Sequence, residues 1–414
     1  MSVWAELVDQ DAVVAVLAEA AAAARAVVER AGAPSSPGTR DTRETSLSPQ
    51  GATASPSSWA MTHSWLLTGP PGSGRSVAAL AFAAALQCAG EPIGCGQCPG
   101  CRTTLARSHA DVRLVSTEAV QIKKEEVRDL VARAQLAPTQ GRWRVIVVED
   151  ADRITEQSLN VLLKAIEEPP ERTVWVLCAP SPEDMIPTIR SRCRHLGLRI
   201  PSATAVADLL VRRDGVDPDD ALDAARAAQS HIGLARALAK DPQMRERRRH
   251  IITAPVRVRS VGEAVMAADR LLKVAQEQTA AQVDERNARE RATLMRQLGA
   301  DSEQGVTKHT RARLRELEEE QKRRAKRSVQ DVLDRALVDL LAVYRDVLME
   351  QLDTGQELVN TDMADVVQEL AASSSPHQTI RRISAIETAR RRLSANVAPL
   401  LALEAMAVSL RPQE

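Results

Sequence analysis

The chain has 414 residues, 44% apolar and 27% charged, with 55 basic side chains balanced by 55 acidic ones. That length exceeds what one hydrophobic core spans and predicts two or three domains. The neutral balance excludes a wholesale polyanion binder, so any nucleic-acid contact must come from a local patch or a partner.

Only 2% of residues are aromatic, which leaves an aliphatic core built from good helix formers, Ala and Leu. No basic segment leads into an apolar run at the start, and no apolar stretch reaches membrane-span length. The expectation is a cytoplasmic protein with reduced thiols.

Residues 1–30 are rich in Ala and Val, and Val13, Val14, Val16 and Leu17 recur at helical spacing. Residues 31–58 are rich in Pro, Ser, Gly and Thr without apolar periodicity, which predicts a flexible insertion. Order returns at Ser64–Thr68, a short apolar strand that runs into a glycine-rich loop. Further apolar runs at Val145–Val148 and Val174–Leu177 read as central parallel strands covered on both faces, and Arg190–Pro201 as one more. The first 200 residues therefore predict an α/β domain with a doubly wound parallel sheet.

Beyond Pro201 the strand signals stop. Residues 202–240 predict short Ala-rich helices, with Asp217-Pro218 as a helix start. Residues 246–414 read as helix throughout, and Leu333, Leu337, Leu340, Leu341, Tyr344 and Leu348 share one face. Both charges crowd residues 284–328. That pattern suits a solvated long helix or helical hairpin laced with ion pairs, or alternatively a DNA-binding patch.

The loop after the first strand reads Gly69-Pro-Pro-Gly72-Ser-Gly74-Arg75-Ser76. A phosphate loop has the pattern G-x-x-x-x-G-K-[S/T] between a strand and a helix, and here the helix is expected over Val77–Leu86. The glycines permit a turn that aims backbone N–H groups at phosphate oxygens, and Ser76 stands where a hydroxyl holds magnesium. The lysine position is Arg75, a planar cation that does not replace a compact ammonium without loss. The loop is thus either a phosphate site for ATP and Mg2+ or a turn retained for the fold.

After the strand at 145–148 come Glu149 and Asp150, the reverse of the Asp-Glu pair that orders magnesium and orients water in active phosphoryl-transfer sites. Two departures in one site predict a weak or absent hydrolase.

Cys88, Cys95, Cys98 and Cys101 form C-x6-C-x2-C-x2-C, with Gly94, Gly96, Pro99 and Gly100 supplying turns. Four thiols in so short a span match a closed, structural zinc site; a redox pair or unliganded thiols are the competing readings. Cys178 and Cys193 stand apart and read as buried small hydrophobes.

The order of these elements carries a resemblance. A phosphate loop, then the four cysteines, then Asn-Val-Leu-Leu-Lys-Ala-Ile-Glu-Glu-Pro-Pro over Asn160–Pro170, then Ser191-Arg192-Cys193, resembles the clamp-loader subunits of bacterial DNA polymerase III. The opening Val3-Trp4-Ala5-Glu6-Leu7-Val8 and the closing Ile386–Glu404 segment are also similar to that family. The likeness spans nearly the whole chain apart from 31–58 and the stretch near 284–328.

The resemblance implies an AAA+ domain over 1–200, with the zinc module at 88–101, a helical lid over 201–245 and a helical collar over 246–414. It also implies a pentameric ring with delta and gamma/tau subunits that places a sliding clamp on primed DNA. Among the family's branches, Arg75, the Glu149-Asp150 order and Leu177-Cys178-Ala179-Pro180, which lacks the first sensor's hydroxyl, resemble the stator-like delta-prime branch more than the ATPase gamma/tau branch.

In the family the arginine of Ser-Arg-Cys reaches the γ-phosphate in the adjacent subunit, so Arg192 is the candidate trans finger; read alone, it is a surface arginine near a helix end. Gly233-Leu234-Ala235-Arg236 resembles the second sensor, which makes Arg236 a candidate nucleotide contact. Two other functions remain open at this stage: a self-sufficient ATPase subunit of the same assembly, and a zinc-containing DNA-binding module, against which neutral charge and few aromatics speak.

Overall fold

A computed structural model of the chain describes residues 2–32, 61–115, 122, 124–256, 258–297 and 308–411. Residues 33–58 of the expected insertion and 298–307 of the charged stretch lie outside them. The chain forms two compact units, one comprising Met1–Thr117 and Gln121–Ala205, the other containing Val206–Glu414.

Unit one is an α/β domain built on a five-stranded parallel sheet. Its strands are β1 (Ser64–Thr68), β2 (Val112–Val115), β3 (Arg144–Val148), β4 (Thr173–Ala179) and β5 (Arg194–Gly197), all parallel in the order β2-β3-β4-β1-β5. Its helices are α1 (Asp11–Gly32), α2 (Arg75–Leu86), α3 (Pro99–Leu105), α4 (Lys124–Ala134), α5 (Glu156–Glu167) and α6 (Pro187–Arg190).

Every residue of β1, β3 and β4 is buried, as expected of strands covered on both faces. Because successive side chains alternate, these strands feed two separate cores. Trp65, Leu67, Val145, Val147, Val174 and Val176 pack with Leu17 of α1 and Phe82 of α2. The intervening Leu66, Ile146, Val148, Trp175 and Leu177 pack with Val127 and Leu130 of α4 and Leu159 and Leu162 of α5. Each such aliphatic side chain contributes roughly 1.5–3 kcal/mol on burial. The chain's single phenylalanine, Phe82, meets Trp65 edge-on at 5.1 Å between ring centres.

Unit two is helical: α7 (Ala203–Asp214), α8 (Pro218–Ala227), α9 (Ile232–Lys240), α10 (Pro242–Val256), α11 (Val261–Gln297), α12 (Lys308–Gln351), α13 (Ala364–Ser373), α14 (Pro376–Ser394) and α15 (Pro399–Leu410), with α7 starting at the junction of the units. The stripe expected on α12 faces inward: Leu333, Leu337, Leu340 and Tyr344 are fully buried beside Ile386 and Leu403, while Leu341 and Leu348 are partly buried.

The charged segments of α11 and α12 form a helical hairpin. Arg291 pairs with Glu318 at 2.8 Å and Arg324 with Glu290 at 2.6 Å across the two helices, alongside an i,i+4 pair between Arg286 and Glu290.

Helix α10 runs through the boundary expected at 245/246, and residues 206–414 fall in one unit. Helix α10 is tied to the later helices by a buried polar network. Asp346, fully buried on α12, accepts the N–H groups of Val359 and Asn360 and the Asn360 amide at 2.9–3.1 Å. Arg248 of α10 donates to Asn360 at 2.7 Å and pairs with Asp339 at 3.4 Å. The segment before residue 245 is joined to the later helices by Arg226 paired with Glu357, by Thr361 donating to Asp223 at 3.0 Å and by Gln229 donating to the Val338 carbonyl at 3.4 Å.

Asp111, just before β2, has a comparable role in unit one. Only 1% exposed, it accepts the N–H groups of Thr139, Gln140 and Gly141 at 2.6–2.8 Å and pairs with Arg144 at 2.9 Å. Burial alone would raise its carboxyl, but the Thr139, Gly141 and Gln140 N–H groups outweigh this and bring it to about 2 from an ordinary 3.8.

A depressed folded-state value means that the stabilisation is present above pH 4 and is lost as pH falls from about 4 towards 2. Its size is about 2 kcal/mol. Asp111→Asn is expected to destabilise unit one by at least that amount at neutral pH and to flatten its acid limb over that window. All five tryptophans lie within residues 1–205, so urea melts followed by tryptophan fluorescence at a series of pH values read this unit directly. An unchanged acid limb would contradict the assignment.

Candidate nucleotide site and thiol cluster

The glycine loop joins β1 to α2 at the carboxyl edge of the sheet. Gly72 and Gly74 have φ of +89° and +88°, a region that side chains with a Cβ rarely adopt. At Gly69 a Cβ would lie 2.6 Å from both the Leu198 carbonyl and the Ser73 hydroxyl. The glycines are thus fixed by backbone shape and close approach. The loop is tied across the sheet by Gly69 N–H donating to the Pro180 carbonyl at 3.1 Å, in the turn after β4. Helix α2 begins at Arg75, two residues before the expected start, with Gly74 as its cap. Arg75 Nη1 and Ser73 Oγ are both buried without a hydrogen-bond partner, so the loop retains donors suited to an oxyanion.

Glu149 and Asp150 follow β3 directly and so share that edge of the sheet. Burial pushes the Glu149 carboxyl up; Arg107, 3.7 Å away, pulls it back, Asp150 adds to the rise, and the Ser76 hydroxyl opposes it. Asp150 pairs with Arg153 at 3.5 Å. Asp152 is also raised by burial and is opposed in part by Arg75. The acids are therefore engaged with arginines of this chain, and Ser76 is turned to Glu149. Cys178, near the end of β4, is fully buried with Sγ 4.0 Å from the Arg75 carbonyl. Burial pushes its thiol up to about 12.

Arg192 lies in the turn after α6 and is exposed. It pairs with Glu167 at the end of α5 and donates to the Thr188 carbonyl at 3.0 Å and the Ser191 hydroxyl at 3.3 Å. Its neighbour Cys193 packs against the core of α4 and α5, and burial raises its thiol to about 12. Arg236 belongs to the other unit. There it pairs with Asp214 at 2.8 Å, which also receives Lys240 at 2.7 Å. Burial works against the charged Asp214, but Lys240, Arg213 and Arg236 hold its carboxyl at about 2.

The four clustered cysteines converge: their Sγ atoms all lie within 4.8 Å of one another, with Cys88 3.7 Å from Cys95 and 3.9 Å from Cys98. A tetrahedron with bonds of about 2.3 Å has S···S edges of about 3.8 Å, so the residues fit a zinc ion. Two of the sulfurs accept backbone N–H groups, Cys95 from Cys98 at 3.4 Å and Cys98 from Cys101 at 3.5 Å.

The N–H groups of Gln97 and Cys98 lower the Cys95 thiol. At Cys98 burial is the largest influence and raises the thiol, but the N–H groups of Cys101 and Ala89 prevail and bring it to about 6. Arg25 of α1 donates to the Gly90 carbonyl at 2.9 Å, and Val3 N–H to the Gly94 carbonyl at 2.9 Å, so the opening segment braces the thiol loop. A metal bound there would crosslink the α2–α3 connection.

Three residues of these sites were not singled out in the sequence. Glu167 lies inside the quoted Asn160–Pro170 stretch, where its acidity was visible but its partner was not. Arg107 reaches Glu149 from a left-handed turn after α3, at φ +58°, which no spacing signals. Arg25 is one basic residue on an Ala-rich helix.

A family model described as "DNA polymerase III, delta subunit" matches residues 53–202. The gamma/tau subunit of DNA polymerase III from Mycobacterium tuberculosis is 33% identical over 203 residues, covering 42% of this chain and 35% of that protein. The delta' subunit from Pseudomonas aeruginosa is 31% identical over 194 residues, covering 46% and 59%. The delta' subunit from Bacillus subtilis is 24% identical over 340 residues, covering 81% and 87%. The match thus spans about a third of the mycobacterial protein and most of the Bacillus one.

The geometry of the thiols predicts one zinc per chain, measurable by plasma emission spectrometry on protein purified without chelator. Cys95→Ser is expected to release the ion and to destabilise unit one by several kcal/mol, on the order of a lost structural site. Metal-free protein with four freely titrating thiols would refute it.

Proposed function

We propose that this chain, which belongs to the delta-prime and gamma/tau family of DNA polymerase III clamp-loader subunits, serves as the delta-prime member of its assembly: a subunit that hydrolyses ATP weakly or not at all and supplies Arg192 to a neighbour's ATP. One observation carries this reading. Arg192 is exposed and held by three partners, while the chain's own site has Arg75 for lysine and a carboxylate pair in reversed order, already engaged by Arg107 and Arg153.

Transferred phosphoryl groups are stabilised by positioned charge, and a trans arginine can contribute on the order of a thousandfold in its site. A planar, permanently charged fork on a short, capped turn suits that task. The own site is different. Its loop keeps the donors that cradle an oxyanion, and Gly69, Gly72, Gly74, Arg75 and Ser76 would contact the phosphates of a bound nucleotide. Glu149 is raised by burial and Ser76 is directed at it, which opposes the metal and water positioning that hydrolysis needs. Zinc held by Cys88, Cys95, Cys98 and Cys101 is structural in this reading, because four thiolates leave no open position.

The partners are delta and gamma/tau subunits in a pentameric ring, with the sliding clamp and primed DNA reached through the complex in the cytoplasm. Unit one and the α7–α9 segment take the AAA+ and lid roles, with Arg236 as the lid's arginine, and the rest of unit two takes the collar role. Among the described residues no helix is long and apolar enough to cross a membrane.

The isolated chain is expected to show negligible ATP turnover, and Arg75→Lys alone is expected not to restore it. Robust turnover by the unmodified chain would make it a gamma/tau-type ATPase instead. In complexes reconstituted with partner subunits, Arg192→Ala is expected to leave zinc content and assembly intact and to lower clamp-stimulated ATPase several-fold, with only small rescue by Arg192→Lys, on the order of the loss of one finger among several sites. Equal rates for wild-type and mutant complexes would remove the trans role.

A further inference from the structure

A phosphate-loop magnesium needs a free hydroxyl at the start of the helix and free carboxylates at the end of the neighbouring strand. The residues here do not fit that ion. The Ser76 hydroxyl is hydrogen-bonded to Glu149. Glu149, whose side chain is 14% exposed, holds Arg107 at 3.7 Å, and Asp150 holds Arg153 at 3.5 Å. A dication placed among them would have to draw the hydroxyl away and stand against two guanidiniums, which are charged at every physiological pH.

Arg107 is the unusual member of this set. Helix α3 ends at Leu105, and the Arg107 N–H returns to the Thr104 carbonyl at 2.8 Å with φ +58°. Glycine commonly fills that position after a helix, because an L side chain is strained there. A residue held in a strained conformation beside a site points to a use for its side chain. Here the side chain is more than half exposed and its Nη2 faces Glu149. At 3.7 Å the pair is a charge contact and not a hydrogen bond, so a phosphate oxygen can take Nη2 without breaking one.

We propose that the phosphate loop binds a nucleoside diphosphate or triphosphate without magnesium, with the Arg107 guanidinium supplying the positive charge that the ion supplies in an active site. This rests on the reading of the chain's own site as one that does not hydrolyse, and it says how such a site still holds its ligand. A guanidinium offsets phosphate charge and pairs with its oxygens bidentately. It does not bridge the β- and γ-oxygens as the metal does in a hydrolysing site. Binding is thereby kept and turnover is not.

The probe is ADP, titrated by calorimetry into the full chain in magnesium-free buffer and again with magnesium added. No chelator is used, so the thiol cluster is left undisturbed. Unmodified protein is expected to bind ADP saturably and at least as tightly without magnesium as with it. Arg107→Gly suits the left-handed backbone and is expected to fold normally. It is expected to lose about tenfold in affinity without magnesium, on the order of one charge-assisted pair. Added magnesium is expected to recover part of that loss, because Glu149 is then released. Arg75→Ala is expected to abolish binding in both buffers, which locates ADP in the loop. Absence of saturable binding, wild-type binding that requires magnesium, binding unaffected by Arg75→Ala, or an Arg107→Gly variant that matches wild type in both buffers would overturn the inference. Magnesium-dependent ADP binding without ATP turnover would overturn it while leaving the non-hydrolysing reading in place, whereas robust turnover would sink that reading itself.

Discussion

The complete burial of three adjacent parallel strands underlies the arrangement of unit one. Because β1, β3 and β4 are covered on both faces, their register is fixed by two cores at once, and a slip of one residue would exchange them. That register sets the sites. The strands are parallel, so their carboxyl ends lie together, and whatever follows each strand is delivered to the same edge: the glycine loop after β1, Glu149-Asp150 after β3, Cys178–Pro180 at the end of β4. The hydrogen bond from Gly69 to Pro180 closes that edge. The aliphatic cores and not the loop residues hold the geometry of that edge. Arg75, Glu149 and Asp150 sit at an edge whose frame is held by those two cores.

Much of this was legible in the residues. Continuous apolar runs announced β1, β3 and β4, and the inward stripe of α12 follows from its leucine spacing. The cysteine spacing announced a cluster whose sulfurs do converge. What escaped has physical causes. Strand β2 is an edge strand with partly exposed side chains, so Val112–Val115 carries too weak an apolar signal to separate from a loop. Asp111 accepts its N–H groups from residues 139–141, and long-range backbone acceptance has no local signature. The joining of residues 206–245 to the later helices rests on Arg226, Asp223 and Gln229, polar residues whose partners lie more than 100 positions along the chain.

The two units solve the shortage of aromatics in different ways. Unit one concentrates its few rings in the sheet, where Trp65, Trp175 and Phe82 are fully buried. Unit two buries one tyrosine, Tyr344, and otherwise relies on aliphatic side chains and on arginine–carboxylate pairs. Where charges are exposed, as along the α11–α12 hairpin, each pair is worth little alone. The buried ones act through the high cost of leaving a partner uncompensated.

The passage of α10 through residue 245 bears on how such a chain can be taken apart. A fragment ending there would sever a continuous helix and part Arg226 from Glu357, Asp223 from Thr361 and Gln229 from the Val338 carbonyl. The seam between the units, taken just ahead of α7 at residue 202, interrupts neither a helix nor those contacts. Recombinant dissection, chimeras between relatives and limited proteolysis therefore have a natural division at the seam and none at α10.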